Sequence, residues 1–163
     1  MASFEFCYNV NMKVFIENVA GSNQKNLYNE KTLEYKKTVT VSREYPYPYG
    51  FILDTTSGDG DNLDCFVLTD TKLEAGKIYE CEPVGLMEQR ESAWSPEGKN
   101  VMEEDHNVLA CLVGEQAEVT EEVKVKLTEF VSHVFDHLEG KVVNVGSFLE
   151  KEAAEQIIKE TQD

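Results

Sequence analysis

A short acidic segment is the part of the sequence best suited to chemistry. Asp59, Asp61 and Asp64 lie within six residues, and Gly58 and Gly60 flank Asp59. Hard divalent cations prefer carboxylate and water oxygens, and glycines allow the backbone to turn tightly enough for neighbouring carboxylates to converge. The segment therefore predicts a metal site, although a polar hairpin loop has a similar composition. An EF-hand loop fits less well, because the sixth position counted from Asp59 is an aspartate instead of glycine.

A second segment, rich in aromatic residues and proline, precedes the aspartates. Residues 45–51 read Tyr-Pro-Tyr-Pro-Tyr-Gly-Phe. The prolines restrict the course of the chain, and the segment leads directly into the run that ends at the aspartates. Tyrosine rings in such a connection are expected to pack against the core. The alternative for a tyrosine here is a hydroxyl group that points at a substrate oxygen.

Strands are predicted to position both segments. Alternating or apolar runs separated by turn residues indicate strands across the first two thirds of the chain. These runs are residues 3–18, 33–35, 38–41, 50–56, 64–69, 77–89 and 107–113. Short strands at such spacing are typical of a barrel or a sandwich. Residues 92–104, with Pro96, Gly98 and three carboxylates, are the best candidate for a mobile loop.

The pattern after Gly114 changes to helical spacing. Apolar residues recur every three or four positions, which predicts an amphipathic helix that ends near Gly140. A short strand over residues 142–145 follows, and Ser147 with Glu150 forms a capping box for a final helix that reaches about Lys159. The predicted fold class is therefore α+β, mainly β, with two C-terminal helices.

Composition limits the class of protein. A chain of 163 residues is long enough for one domain, covering residues 1–163. Its four cysteines have no paired spacing and are expected to be reduced. Neither a membrane span of about 18 apolar residues nor an export signal is found in the sequence. The net charge of −16 disfavours binding to nucleic acid, and an anionic partner would have to be bridged by multivalent cations.

Three motifs in order resemble a known family. The segment Tyr-Pro-x-x-Tyr-Gly-Phe, then Asp-Gly-Asp-x-Leu-Asp, then Pro83-Val84-Gly85 is similar to the soluble, Mg-dependent inorganic pyrophosphatases. The similarity extends from about Val14 to Val113 and more weakly through the two helices. The resemblance implies a five-stranded OB-like barrel, a cytoplasmic protein, and a homo-oligomer, with a hexamer suspected.

The resemblance also implies a reaction and roles for particular residues. The reaction is hydrolysis of pyrophosphate by a water activated by Mg2+, with Mn2+ as a possible substitute. Asp61 matches the general base, Tyr49 a tyrosine of the site, and Lys25 a phosphate-binding lysine. The implied metal ligands are Asp59, Asp64, Asp105 and Glu91, the last of which stands where the family has an aspartate. Glu17 matches an acidic position that orders metal-bound waters.

The sequence departs from the family at several phosphate-binding positions. Lys37 aligns with an arginine and lacks its planar, two-point grip. Asn107 replaces a lysine, residues 134–135 are Val-Phe where the family has Tyr-Lys, and Leu27 replaces an acidic residue. Two alternatives therefore stay open: a non-catalytic metal-binding descendant, or a phosphohydrolase for another polyphosphate. Lys36, Arg43 and Arg90 could supply charge but are expected to be exposed surface residues.

Overall fold

The computed structural model describes residues 10–93 and 101–163. Strands and two helices alternate along these residues in a fixed order. They are β1 (Met12–Asn18), β2 (Gln24–Tyr28), β3 (Tyr35–Thr40), β4 (Tyr49–Ile52), β5 (Asp64–Val67), β6 (Ile78–Ala93), β7 (Val101–Glu104), β8 (Asn107–Leu112), α1 (Glu121–His133), β9 (Val143–Glu150) and α2 (Lys151–Thr161).

Five strands form a closed ring. Its order is β1, β4, β5, β8 and β6, and β6 pairs again with β1. The β5–β8 pair is parallel, and the other pairs of the ring are antiparallel. The ring confirms the prediction of a mainly β, five-stranded OB-like fold with two C-terminal helices. Strands β7 and β9 extend the sheet from the long strand β6, and β2 pairs with β3 as a separate hairpin.

Alternation along the ring strands separates two hydrophobic clusters. Successive side chains of a strand point to opposite faces, so Cys65 and Phe66 belong to different clusters. The cluster around Cys65 includes Ala154 and Ile158 of α2, which cover one side of the ring. The cluster around Phe66 includes residues of α1 and supports the face beneath that helix. Burial of these side chains, worth about 25 cal/mol per Å² of apolar surface, holds both helices against the ring.

The C-terminal predictions need correction. Helix α1 ends at His133 and not near Gly140. After His133 the chain continues in tighter turns, in which the N–H of Asp136 donates to the carbonyl of His133 at 3.1 Å. The carbonyl of Val134 accepts a hydrogen bond from the N–H of Ser42 at 2.9 Å instead of one from the helix. The predicted capping box was also wrong, because Ser147 lies in β9. Residues Phe148, Leu149 and Glu150 pair with β6, so α2 begins only after Glu150 and has no side-chain cap.

The loop predicted over residues 92–104 is partly strand. Ser92 pairs with Met102 where β6 meets β7, so both ends of the segment belong to a hairpin. Residues 94–100 lie outside the described residues, as do the first nine residues with Cys7. Cys65, Cys81 and Cys111 are buried free thiols, as the sequence predicted. In the two described ranges, none of the helices has the length and apolar character needed to cross a membrane.

Candidate active site

One cavity of about 300 Å³ collects nearly all of the predicted site residues. It lies where the ring meets the β2–β3 hairpin and the C-terminal end of α1. Its lining includes Glu17, Lys25, Tyr49, Asp59, Asp61, Asp64, Glu91 and Asp105. Six of these eight side chains are carboxylates, and they come from segments far apart in the sequence.

Strand pairing brings the acidic segments together. Asp64 is the first residue of β5, and the parallel pairing of β5 with β8 places it opposite Asn107. Asp105 precedes β8, so this pairing sets Asp105 beside Asp64. Met87 on β6 pairs with Asn107, and Glu91 lies four residues after Met87, so Glu91 is at the same end of the ring. The register of the ring thus determines which carboxylates meet.

Close packing explains the glycine of the Tyr-Gly-Phe motif. A Cβ atom at Gly50 would lie 1.7 Å from the carbonyl oxygen of Phe15 on β1, so only glycine fits there. Phe51 stacks on Phe15 with ring centroids 5.1 Å apart. Tyr49, two residues before Phe51 on the same strand, packs against Phe66 and reaches the cavity. Burial first, and then the charge of Asp64, raises the pKa of Tyr49 well above its usual range, so its hydroxyl keeps its proton.

The segment from Ser57 to Asp64, here called the aspartate loop, turns tightly. One oxygen of Asp59 accepts hydrogen bonds from the Ser57 hydroxyl at 2.6 Å and from the N–H of Asp61 at 2.9 Å. Gly60 has a φ of +89°, in the left-handed region that favours glycine. Asp59 and Asp61 are exposed, whereas Asp64 is half-buried. The loop therefore presents two carboxylates to solvent and one to the interior of the cavity.

The carboxylates of the cavity raise one another's pKa. Burial, followed by the nearby Asp105, raises the pKa of Asp64 well above its usual range. Burial and then Glu91 raise the pKa of Asp105 to about 7. Burial raises the pKa of Glu17 to about 8 although Lys25 opposes this shift. The site therefore carries more acidic oxygen than its own cations neutralise.

This donor set fits hard divalent cations. Carboxylate oxygens are the ligands that Mg2+ and Mn2+ prefer, and a bound cation would favour the ionised forms that burial now disfavours. Within the two described ranges, no three His, Cys, Asp or Glu side chains converge closely enough to form a ready-made metal site. The acidic residues are spread around the cavity wall.

Lys25 is the cation that reaches into the cavity from β2. Its Nζ lies 5.6 Å from the ring centre of Tyr49 and 5.8 Å from that of Phe135. Burial alone would lower the pKa of Lys25, but Tyr45, Glu17 and Asp64 outweigh burial and raise it. Lys25 therefore keeps its positive charge next to the acidic residues.

Other predicted cations lie outside the cavity lining. Lys37 is exposed. It pairs with Leu27 across the hairpin, so the two side chains lie on the same face of the hairpin, and Leu27 lines the cavity. Arg43 contacts Glu129 at 3.5 Å, and Arg90 contacts Glu104 at 3.6 Å. These two arginines are largely exposed, as the sequence predicted.

The positions that depart from the family form an uncharged part of the wall. Leu27, Asn107, Val134 and Phe135 all line the cavity. Asn107 is buried and donates from Nδ2 to Oε1 of Gln89 at 2.7 Å, so its amide is engaged within the protein. No cation comes from these four positions.

Sequence reasoning missed two charged residues near the cavity. Glu30, in the turn of the β2–β3 hairpin, lines the cavity and accepts a hydrogen bond from the N–H of Asn62 at 2.9 Å. Lys141, just before β9, has its Nζ 3.5 Å from Oε1 of Glu91 and 5.4 Å from the ring centre of Phe135. Neither belongs to a motif or to an alternating run, so the sequence carried no signal for either.

Comparison with known proteins agrees with this geometry. The family model for inorganic pyrophosphatase matches residues 14–163. The inorganic pyrophosphatase of Nanoarchaeum equitans is 34% identical over 159 residues, which cover 91% of this chain and 94% of that relative. Two solved structures share the fold.

The inorganic pyrophosphatase from Thermus thermophilus has a TM-score of 0.77 at 27% identity, across 93% of this chain and 88% of its own. The inorganic pyrophosphatase from Neisseria gonorrhoeae has a TM-score of 0.80 at 23% identity over the same shares, which shows likeness of fold alone. The fold, the acidic cavity and the match over almost the whole sequence lead to one conclusion: this chain belongs to the inorganic pyrophosphatase family.

Proposed function

We propose that this protein hydrolyses inorganic pyrophosphate to two phosphates with Mg2+, and that Mn2+ can substitute. The observation that carries the proposal is the convergence of seven carboxylates, Lys25 and Tyr49 on one cavity. Family membership implies the substrate and a divalent metal cofactor. The acidity of the cavity supports the metal requirement, because bare carboxylates would repel an anionic substrate.

The family resemblance gives the carboxylates three roles. Asp59, Asp64, Asp105 and Glu91 would hold the metal ions, and Glu17 would order the waters around them. Bound metal ions would lower the pKa of a water and offset the charge of the phosphates. Asp61 lies at the tip of the aspartate loop and is largely exposed. Its partial desolvation and then Asp59 raise its pKa, so it is suited to accept a proton from that water.

The remaining site residues would hold the substrate. Lys25 would bind a phosphate oxygen, and Lys37 could approach from the rim of the cavity on the same face of the hairpin as Leu27. The hydroxyl of Tyr49 remains protonated and would donate a hydrogen bond to a phosphate oxygen. Fewer cations should weaken the hold on the leaving phosphate, because charge develops there in the transition state.

The proposal is tested by phosphate release from pyrophosphate with Mg2+, with Mn2+ and with a chelator. We expect chelator-sensitive release that falls roughly 10²- to 10⁴-fold in Asp61→Asn, the range typical of a lost general base. Unchanged activity in Asp61→Asn would reject this residue as the base. Metal binding without release would favour a non-catalytic descendant, and faster release from triphosphate or nucleotides would favour another polyphosphate substrate.

We further infer a single domain over residues 1–163, a cytoplasmic location and a homo-oligomer, with a hexamer suspected. These inferences follow from the family resemblance. Sedimentation of the purified protein tests the assembly, and a monomer at all concentrations would contradict it. No role with nucleic acid or membranes is proposed, since the net charge of −16 opposes binding to phosphate backbones.

A further inference from the structure

Glu30 is an acidic residue of the cavity that the family resemblance does not supply. It lies in the turn between β2 and β3, is half-buried, and shares the cavity with Asp59 and Asp61. Leu27 occupies the position of β2 at which the resemblance places an acidic residue. The hairpin therefore provides a carboxylate from its turn and an apolar side chain from its strand.

The contact made by Glu30 is directed at the aspartate loop. Its Oε1 accepts the backbone N–H of Asn62 at 2.9 Å. Asn62 lies between Asp61 and Asp64, is buried, and donates from Nδ2 to the carbonyl of Ile52 on β4 at 3.2 Å. The loop is thus fastened at Asn62 to the ring on one side and to the hairpin turn on the other.

The hairpin is itself tied to the strand that carries Glu17. The N–H of Asn26 donates to Oδ1 of Asn18 at 2.6 Å, and Nδ2 of Asn26 donates to the carbonyl of Glu17 at 2.7 Å. A continuous set of hydrogen bonds therefore links the end of β1, the hairpin and the aspartate loop. This path connects two acidic parts of the cavity that are not adjacent in the sequence.

The remaining bonds of the loop tip are internal. Ser57 donates from its N–H to the carbonyl of Asp61 at 2.8 Å, and Asp59 accepts from Ser57 and Asp61. Such bonds preserve the shape of the tip and leave its position relative to the cavity undetermined. The bonds at Asn62 and Leu63 anchor the tip. The shorter of the two bonds from the hairpin turn to Asn62 is made by Glu30, and the other runs from Nζ of Lys31 to Oδ1 of Asn62 at 3.5 Å.

The location of Glu30 is electrostatically unfavourable. Burial and the neighbouring Asp61 and Asp59 raise its pKa to about 7, although the hydrogen bond from Asn62 opposes the shift. Glu30 also raises the pKa of Glu17 and of Asp64, so it lies among the other carboxylates. A carboxylate in this environment destabilises the metal-free fold, which is consistent with a role in function.

We propose that Glu30 is a positioning residue, which holds the aspartate loop through the N–H of Asn62 in the arrangement that binds divalent metal ions. The inference rests on the proposed function, because the aspartates of the loop are taken as metal ligands. The role requires a hydrogen-bond acceptor at the right distance, and it does not require a negative charge.

Two substitutions separate the effect of the distance between the acceptor oxygen and the Asn62 N–H from the effect of the negative charge. Glu30→Gln keeps an acceptor oxygen at the same distance and removes the charge. Glu30→Asp keeps the charge and shortens the side chain by one methylene, about 1.5 Å, so that it no longer reaches Asn62. Glu34→Gln is the matched control, since Glu34 is an exposed residue on the same hairpin outside the cavity.

Three quantities are measured for each variant. They are the hydrogen-exchange rate of the Asn62 N–H in metal-free protein, the Mg2+ dissociation constant by calorimetry, and kcat and KM for pyrophosphate. For Glu30→Asp we expect faster exchange, a Mg2+ dissociation constant raised about tenfold, and a lower kcat at limiting Mg2+ with KM little changed. For Glu30→Gln we expect values within about twofold of wild type, as for the control.

The outcomes are distinct. The proposal is overturned if Glu30→Asp matches wild type in exchange and Mg2+ affinity, or if Glu30→Gln is as defective as Glu30→Asp. A wild-type protein that releases no phosphate would reject the proposed function alone. The exchange and calorimetry measurements would still decide the role of Glu30, because neither depends on turnover.

Discussion

The acidic wall and the opposite wall of the cavity differ in how they are built. Carboxylates of the acidic wall lie on ring strands or on a loop pinned to the ring, as with Asp64 on β5 and Glu91 on β6. The opposite wall is formed by the β2–β3 hairpin and the end of α1, where Leu27, Val134 and Phe135 are uncharged. The chain thus keeps the aspartate motif on the ring and departs from the family mainly on the peripheral elements, with Asn107 on β8 as a departure within the ring.

The difference follows from how much stability a substitution would cost in each region. A ring strand pairs on two sides, and a shift of one residue would move its whole buried face. The hairpin pairs only within itself, and β3 is exposed along its whole length. Substitutions there cost little stability, so the phosphate-binding side can diverge while the metal-binding side is retained.

Asp64→Asn should have the largest effect and should separate activity from stability. Removal of this metal ligand should lower activity about 10³-fold, since a bound metal contributes several kcal/mol of charge stabilisation. The metal-free protein should melt at a higher temperature than wild type at pH 8, because burial and Asp105 disfavour the ionised Asp64. Phosphate release and calorimetric melting test this. Retained activity would show that the acidic wall does not hold the catalytic metals.

Lys25→Met tests the opposite wall. The substitution keeps most of the stem that lies over Tyr49 and removes the charge. A charge-assisted hydrogen bond is worth about 1.5–3 kcal/mol, so kcat/KM for pyrophosphate should fall about 10- to 100-fold while Mg2+ affinity changes little. Lys77→Met, at an exposed ion pair with Glu74, is the control. Equal losses in both variants would argue against phosphate binding by Lys25.

The pH dependence of stability should show that ionised carboxylates are unfavourable in the acidic wall. Glu17 has a pKa of about 8 and Asp105 of about 7 in the fold, against ordinary values of 4.5 and 3.8. The folded protein therefore binds protons that the unfolded chain has released. The contribution of these groups to stability is complete below about pH 4 and is lost as pH rises through 7 and 8.

Melting of chelator-treated protein between pH 5 and 9 measures this loss, which should amount to a few kcal/mol. Added Mg2+ should reverse it, because the metal favours the ionised carboxylates. Glu17→Gln should flatten the curve near pH 8. A melting temperature that rises with pH over this range would contradict the assignment.

Lys37→Arg should have the smallest effect. Arginine can hold a phosphate at two points, whereas lysine acts as a single charge. If Lys37 approaches the substrate from the rim, kcat/KM should rise by about two- to tenfold with stability unchanged. Steady-state kinetics of both variants measures the effect. Lys36→Arg is the control, because Lys36 lies on the opposite face of the same strand. No change in either variant would show that Lys37 does not bind substrate.

Local sequence determined much of the fold and most of the acidic wall. The order of the three motifs indicated the family, and the alternation around Val14 and Cys65 predicted ring strands whose inner side chains are buried. The strand predictions succeeded because alternation is a property of short segments. The capping box at Ser147 failed, because pairing with β6 took precedence over a local helix signal.

Only the tertiary structure decided which distant residues share the cavity. The parallel pairing of β5 with β8 brought Asp64 to Asp105, and the hairpin turn brought Glu30 to Asn62. The end of α1 at His133 left the following residues free to reach the cavity and Lys141 to approach Glu91. Such contacts depend on strand register and on where elements end, which are set by pairing between segments far apart in the chain.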